Sequence, residues 1–215
     1  MNTLRFGPAL LIAAVIAIPS QLAAQTTLGV KGGIGIADLS IDDPFSEDVN
    51  LDSRTTFTGG AFANFQLGET FFVQPELLYA PKGAKESEAG TEATFELDYF
   101  EIPLLLGAEF PIGDGLTPHV FAGPEVAFEI GCQITGEEGG VSASFDCEDF
   151  GLETKSVDFG LVFGAGVGIP LGGFELVIDG RYDLGLTDID DSDDEGSAKN
   201  RAWQFMVGAG FPVGG

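Results

Sequence analysis

The stretch Trp203-Gln204-Phe205-Met206-Val207-Gly208-Ala209-Gly210-Phe211-Pro212-Val213 alternates large apolar residues with small or polar ones. Trp203, Phe205, Val207, Ala209, Phe211 and Val213 share one face, and Gln204, Met206, Gly208 and Gly210 share the other, because a period of two is the period of a β-strand. The continuous face carries the large apolar side chains, and the opposite face carries glycine and polar groups. A soluble ligand-binding barrel needs the reverse, apolar inside and polar outside. The stretch therefore reads as one strand of a barrel whose apolar side faces lipid.

Seven further stretches follow the same pattern. Leu28 to Ala37 turns Leu28, Val30, Ile34 and Ile36 outward and Lys31 inward. Thr56 to Leu67 turns Phe57, Ala61, Ala63, Phe65 and Leu67 outward. Phe71 to Ala80 puts Phe71, Val73, Leu77 and Tyr79 outside, with Gln74 and Glu76 inside. Phe95 to Phe110 puts Phe100, Ile102, Leu104, Leu106 and Phe110 outside, with Glu101 and Glu109 inside. Thr117 to Ile130 sends Val120, Ala122, Val126 and Phe128 outward over His119, Glu125 and Glu129. Val157 to Pro170 sends Val157, Phe159, Leu161, Phe163, Val167 and Ile169 outward over Asp158 and four glycines. Phe174 to Leu186 turns Leu176, Ile178, Tyr182 and Leu184 out and Glu175, Asp179, Arg181 and Asp183 in.

The connections alternate in length, which is a second and independent signal. Gly68-Glu69-Thr70, Pro111 to Gly115 and Leu171-Gly172-Gly173 are tight turns, whereas Ser40 to Thr55, Lys82 to Thr94, Gly131 to Ser156 and Thr187 to Arg201 are long and polar. Short periplasmic turns, long external loops and an even strand number are the pattern of bacterial outer-membrane barrels. The expected fold is all-β, an eight-stranded antiparallel up-and-down transmembrane β-barrel in the bacterial outer membrane. Met1 to Ala24, with Arg5, an apolar run from Ala9 to Ile18, Pro19 and small residues at Ala23 and Ala24, reads as a signal peptide cleaved before Gln25. That leaves residues 25–215 as one barrel domain. No cysteine follows the apolar run, which speaks against a lipid anchor, and nothing after Gln25 has the ~18 consecutive apolar residues of a membrane helix.

The chain holds 32 Gly and 19 Phe, an inventory suited to a thin-walled barrel with rings in lipid and glycines where strands crowd. The formal charge is −25, or −26 without Arg5, which excludes nucleic acid as a partner, since phosphates need basic patches.

The inward ionisable residues Lys31, Glu76, Glu101, Glu125, Asp158, Asp179, Arg181 and Asp183 form the candidate site, a polar network in the lumen. Carboxylates in so dry a space must pair, hydrogen-bond or hydrate, with Lys31 and Arg181 as their evident partners. Two readings fit, a structural core that pins strand register and a proton or cation path. Cys132 and Cys147, the only cysteines, read as a loop disulfide in an exported protein. The single His119 faces the lumen with no catalytic motif around it. Asp188, Asp190, Asp191, Asp193, Asp194 and Glu195 form the densest acidic run, a solvated loop or a weak site for divalent cations. It is no EF-hand, because Asp193 stands where that loop needs glycine. No cofactor is expected. Gly-x-Ser-x-Gly, phosphate-loop and His-Glu-x-x-His motifs are absent, and Gly164-x-Gly166-x-Gly168 lies inside a strand, so no enzyme activity is expected.

Val73-Gln74-Pro75-Glu76-Leu77-Leu78-Tyr79 with Lys82-Gly83-Ala84, Leu97-Asp98-Tyr99-Phe100-Glu101-Ile102-Pro103, Val120-Phe121-Ala122-Gly123-Pro124-Glu125 and Arg181-Tyr182-Asp183-Leu184-Gly185-Leu186-Thr187 resemble the PorT-type outer-membrane β-barrel proteins. The resemblance covers essentially the whole mature chain. It implies an eight-stranded, porin-like barrel without shared catalytic residues, in a family with one member linked to protein secretion. Many such barrels end on an aromatic read by the barrel assembly machinery, whereas this chain ends Phe211-Pro212-Val213-Gly214-Gly215. Two function classes follow. One is a structural or interaction protein whose acidic loops meet envelope or extracellular partners, and the other is a small porin-like transport or secretion-accessory barrel.

Overall fold

The computed structural model describes residues 26–42, 51–88, 91–113, 115–152, 154–190 and 196–213. The expected signal peptide, Asp191, Asp193 and Asp194 lie outside the described residues. The strands are β1 (Thr26–Asp42), β2 (Asp52–Leu67), β3 (Phe71–Tyr79), β4 (Lys82–Glu88), β5 (Thr91–Glu109), β6 (Thr117–Glu138), β7 (Val141–Asp146), β8 (Val157–Pro170), β9 (Glu175–Gly185) and β10 (Ser197–Val213). Antiparallel pairing runs β1–β2–β3–β5–β6–β8–β9–β10 and closes through β10 onto β1, from Thr26 opposite Val213 to Asp42 opposite Ser197. Closure leaves no free edge in the ring itself, a requirement in lipid, where unpaired backbone groups find no water.

Eight staves form the ring although more strands are present, because two are outgrowths. Across β5, Tyr79 pairs with Phe100 and Lys82 with Leu97, so β4 continues β3 in unbroken register past Ala80 and Pro81. Proline has no N–H to give the ladder, and the pairing skips it. The strand β7 folds back on the far end of β6 as a hairpin with every residue exposed. A short 3-10 helix, Cys147–Phe150, follows it.

The ladders run well beyond the stretches marked by apolar alternation. β1 reaches Asp42, β5 begins at Thr91, β6 reaches Glu138 and β10 begins at Ser197, so much of the four polar segments expected as loops is strand. The large outward residues stop where lipid stops, but backbone pairing has no such limit. Where β5 meets β6, Asp98 pairs with Gly131 and Tyr99 with Glu129. Ile130 is thus an extra residue in β6, a bulge that reverses its alternation. Above it Cys132 packs against the inward Leu97, Tyr99 and Ala127.

Outside, Val30 is 60% and Phe57 65% exposed, as befits side chains meeting lipid. Tyr79, Phe100, Phe128, Tyr182 and Trp203 ring the long-loop end, with Tyr182 and Trp203 in contact at 4.9 Å. Phe71, Phe110, Phe174 and Phe211 ring the short-turn end, the last two 6.0 Å apart. Phe100 and Phe110 are about 33 Å apart along β5 at ~3.3 Å per residue, or ~25 Å along the membrane normal at the usual tilt.

Inside, the short-turn end holds an apolar plug of Phe72, Leu105, Phe121 and Val162. Neighbouring staves approach closely at inward glycines. A Cβ on Gly60 would collide with the Leu77 carbonyl oxygen and come within 2.8 Å of Leu78 Cα, both backbone atoms. Gly60→Val is therefore expected to cost about 1–3 kcal/mol, read as a lower urea midpoint of the lipid-reconstituted barrel. Gly136→Ala, where a Cβ meets nothing within 4 Å, should leave the midpoint in place. Equal midpoints for the two variants would refute the close-approach account.

Candidate functional site

All eight ionisable residues expected in the lumen are buried there, Arg181 and Glu101 completely. The first group centres on Glu76 of β3. Lys31 Nζ donates to Glu76 Oε1 at 2.6 Å and to Asp179 Oδ2 at 3.1 Å. Gln74 Nε2 donates to Glu76 Oε1 at 2.7 Å, and Asn64 Nδ2 to Gln74 Oε1 at 3.1 Å. The other Glu76 oxygen accepts from Arg181 of β9 at 2.8 Å. In the ring β3 and β9 stand on opposite walls, so this ion pair spans the lumen. His119 lies beneath, with Nε2 2.8 Å from Asp179 Oδ1 and its ring stacked on Phe121.

Arg181 links this group to the next. Its Nε and Nη2 donate to Gln204 Oε1 at 3.2 and 2.8 Å, and Gln204 Nε2 donates to Asp183. Glu101 lies 3.6 Å and Asp183 3.5 Å from the guanidinium. Glu101, Glu125 and Asp183 converge, each with a carboxylate oxygen within 4.8 Å of the others. The cation that meets them is Lys82, 2.6 Å from Glu101 and 3.4 Å from Glu125, with its ammonium 5.5 Å from the centre of the Tyr99 ring. Asn200 Nδ2 then donates to the Tyr99 hydroxyl at 3.2 Å and to Asp158 at 2.9 Å, joining β10 to β5 and β8.

Lys82 is the member that the sequence reading placed in a loop. Pro81 and the polar residues after it read as a strand end, yet the unbroken register of β4 keeps Lys82 on the inward face that Glu76, Leu78 and Ala80 share. Arg54 braces the junction of β3 and β4, donating to the Lys82 carbonyl at 2.8 Å and to Glu96 at 2.9 Å. Among the described residues the fully buried charges are thus six carboxylates and three permanent cations. A buried pair is strong only when both partners remain, which makes these three cations the critical members.

The motif segments acquire a common role. Gln74 and Glu76, Lys82, Tyr99 and Glu101, Glu125, and Arg181 and Asp183 all lie in this network. These segments thus supply much of the barrel's interior.

Cys132 and Cys147 are disulfide-bonded, with Cα atoms 5.5 Å apart, and tie the 3-10 helix to β6. Asp188 Oδ1 accepts from the backbone N–H groups of Ala198 at 2.8 Å and Asp190 at 3.2 Å, and Lys155 donates to the Asp190 carbonyl. These two acids shape the turn into β10.

A closed ring of eight staves, a lipid-facing apolar belt between aromatic girdles and a filled polar interior define an integral outer-membrane β-barrel. The chain belongs to the outer membrane protein beta-barrel domain family, whose model matches residues 21–191, and it is a protein of the bacterial outer membrane. No curated protein matches it. Among solved structures it is similar to Neisserial surface protein A, at 11% identity and a TM-score of 0.52 over 87% of this chain and 96% of that one. It is likewise similar to the outer membrane protein OprG from Pseudomonas aeruginosa, at 14% identity and a TM-score of 0.52 over 87% of this chain and 95% of that one. These likenesses show the fold.

Proposed function

We propose that this barrel is a sealed, non-catalytic anchor that presents an acidic rim to envelope or extracellular partners. The observation that carries the reading is the Arg181–Glu76 pair at 2.8 Å between opposite walls, in a barrel whose strand number leaves room for little more than side chains. Asp38, Glu86, Glu137 and Glu138 stand exposed at the long-loop end, which faces outward in barrels of this kind. Exposed carboxylates suit divalent cations, which could bridge the rim to anionic lipid headgroups. Insertion by the barrel assembly machinery belongs to the same reading.

The PorT-type resemblance favours a second reading, a small transport or secretion-accessory barrel. Planar-bilayer recording with the full chain separates the two. A sealed anchor gives no discrete conductance steps at either polarity, and reproducible steps would overturn the first reading in favour of the second.

A further inference from the structure

We infer that the long-loop mouth of the barrel binds a small apolar molecule that carries no negative charge. A cavity of about 310 Å³ opens there, walled by Leu39 and Ile41 of β1, Phe95 of β5, Ile134 of β6, and Leu152 and Ile189 of the connecting segments. Leu39 and Ile41 share the inward face of β1 with Lys31. That face therefore changes from cationic to aliphatic as the strand leaves the lipid.

Above the membrane the barrel follows the rule of a soluble one, with apolar residues inside. The floor is closed by Leu97, Tyr99 and Ala127, and Lys82 and Asn200 contact Tyr99. A closed floor makes the cavity a binding site rather than a passage. Well-packed interiors leave few voids larger than a water molecule, and this volume lies in the ~300–1,000 Å³ range of small-molecule sites.

The charge of the wall sets the ligand's sign. Lys85, Glu86 and Asp190 border the cavity, and the Lys85 ammonium is held by Glu92 at 2.5 Å. In a chain of net charge −25, with the Lys85 ammonium already paired, an anion meets repulsion that no other cation among the described residues lining the cavity offsets. A neutral or cationic ring system of bicyclic size meets the geometry and the field.

The test uses one ring with three charges. The full chain, in phosphatidylcholine nanodiscs with isoleucine methyls labelled for NMR, is titrated with indole, tryptamine and indole-3-acetate. Saturable shifts are expected at Ile41, Ile134 and Ile189 for indole and tryptamine, with indole-3-acetate binding about tenfold more weakly, the equivalent of ~1.4 kcal/mol. The lipid-facing Ile102 and Ile178 should not follow the same curve. Ala198→Phe, which fills the cavity, should abolish the saturable shifts while the unboiled protein keeps its fast gel migration; if that variant fails to fold, Ala93→Leu at the outer wall serves instead. Non-saturating shifts shared with Ile102 would mean partition into the bilayer and overturn the proposal. So would equal affinity for indole-3-acetate, or shifts that persist in the filled variant.

Discussion

Arg181→Met is expected to lower the stability of the barrel by about 3–5 kcal/mol. The guanidinium is fully buried and touches Glu76, Gln204, Asp183 and Glu101. Methionine fills much of the volume but answers none of these groups. Glu76 would keep Lys31, while Asp183 would keep the amide of Gln204 and a share of the Lys82 ammonium that Glu101 and Glu125 also draw on. Urea unfolding in lipid vesicles measures the loss, and the temperature at which the unboiled protein loses its fast gel migration gives an independent reading. Because part of the cost is Glu76 left without its partner across the lumen, Glu76→Gln in the same chain should return some of it, a coupling of about 0.5–3 kcal/mol. An unchanged midpoint together with altered conductance would show that Arg181 serves a conduction path instead.

Lys82→Met is expected to cost a similar ~3–5 kcal/mol, because three converging carboxylates would then share the single guanidinium of Arg181. Lys82 lies 2.6 Å from Glu101 and 3.4 Å from Glu125, with Asp183 beside them. Removing one carboxylate should relieve the repulsion, so Glu125→Gln is expected to raise the midpoint of Lys82→Met. The comparison that gives this meaning is Lys85→Met. Lys85 and Glu92 also pair, at 2.5 Å, but their side chains are 34% and 42% exposed, and a pair so wet is worth no more than about 1 kcal/mol. Equal losses at Lys82 and Lys85 would refute the assignment of Lys82 to the lumen network.

The two variants also mark where sequence reading succeeds and where it stops. Arg181 could be placed from its own strand, since Asp179, Arg181 and Asp183 alternate with Ile178 and Tyr182 and the polar set must avoid lipid. Lys82 is missed although counting by two from Glu76 puts it on the inward face, because Pro81 and the polar run after it read as the end of the strand. Only the pairing of β4 with β5 shows that the strand goes on. Ile134 is a similar case. The bulge at Ile130 reverses the alternation of β6, so counting from Glu125 puts Ile134 on the wrong face. Asn200 and Leu39 fell beyond the last large outward residue of their strands, where lipid no longer selects for size, and a polar-looking segment there is strand all the same.

Fold class, the eight staves of the ring, the outward and inward faces of its lipid-spanning stretches and the sign of the interior were legible in the chain alone. They follow from a period of two and from the demand of lipid for apolar contact, and both act residue by residue along a strand. Which inward residues meet was decided only in three dimensions. The Arg181–Glu76 pair, the sharing of Lys82 between two glutamates and the aliphatic cavity at the mouth each join residues on different staves at one height. That height depends on strand tilt and stagger and on the bulge at Ile130, neither of which a one-dimensional alternation encodes.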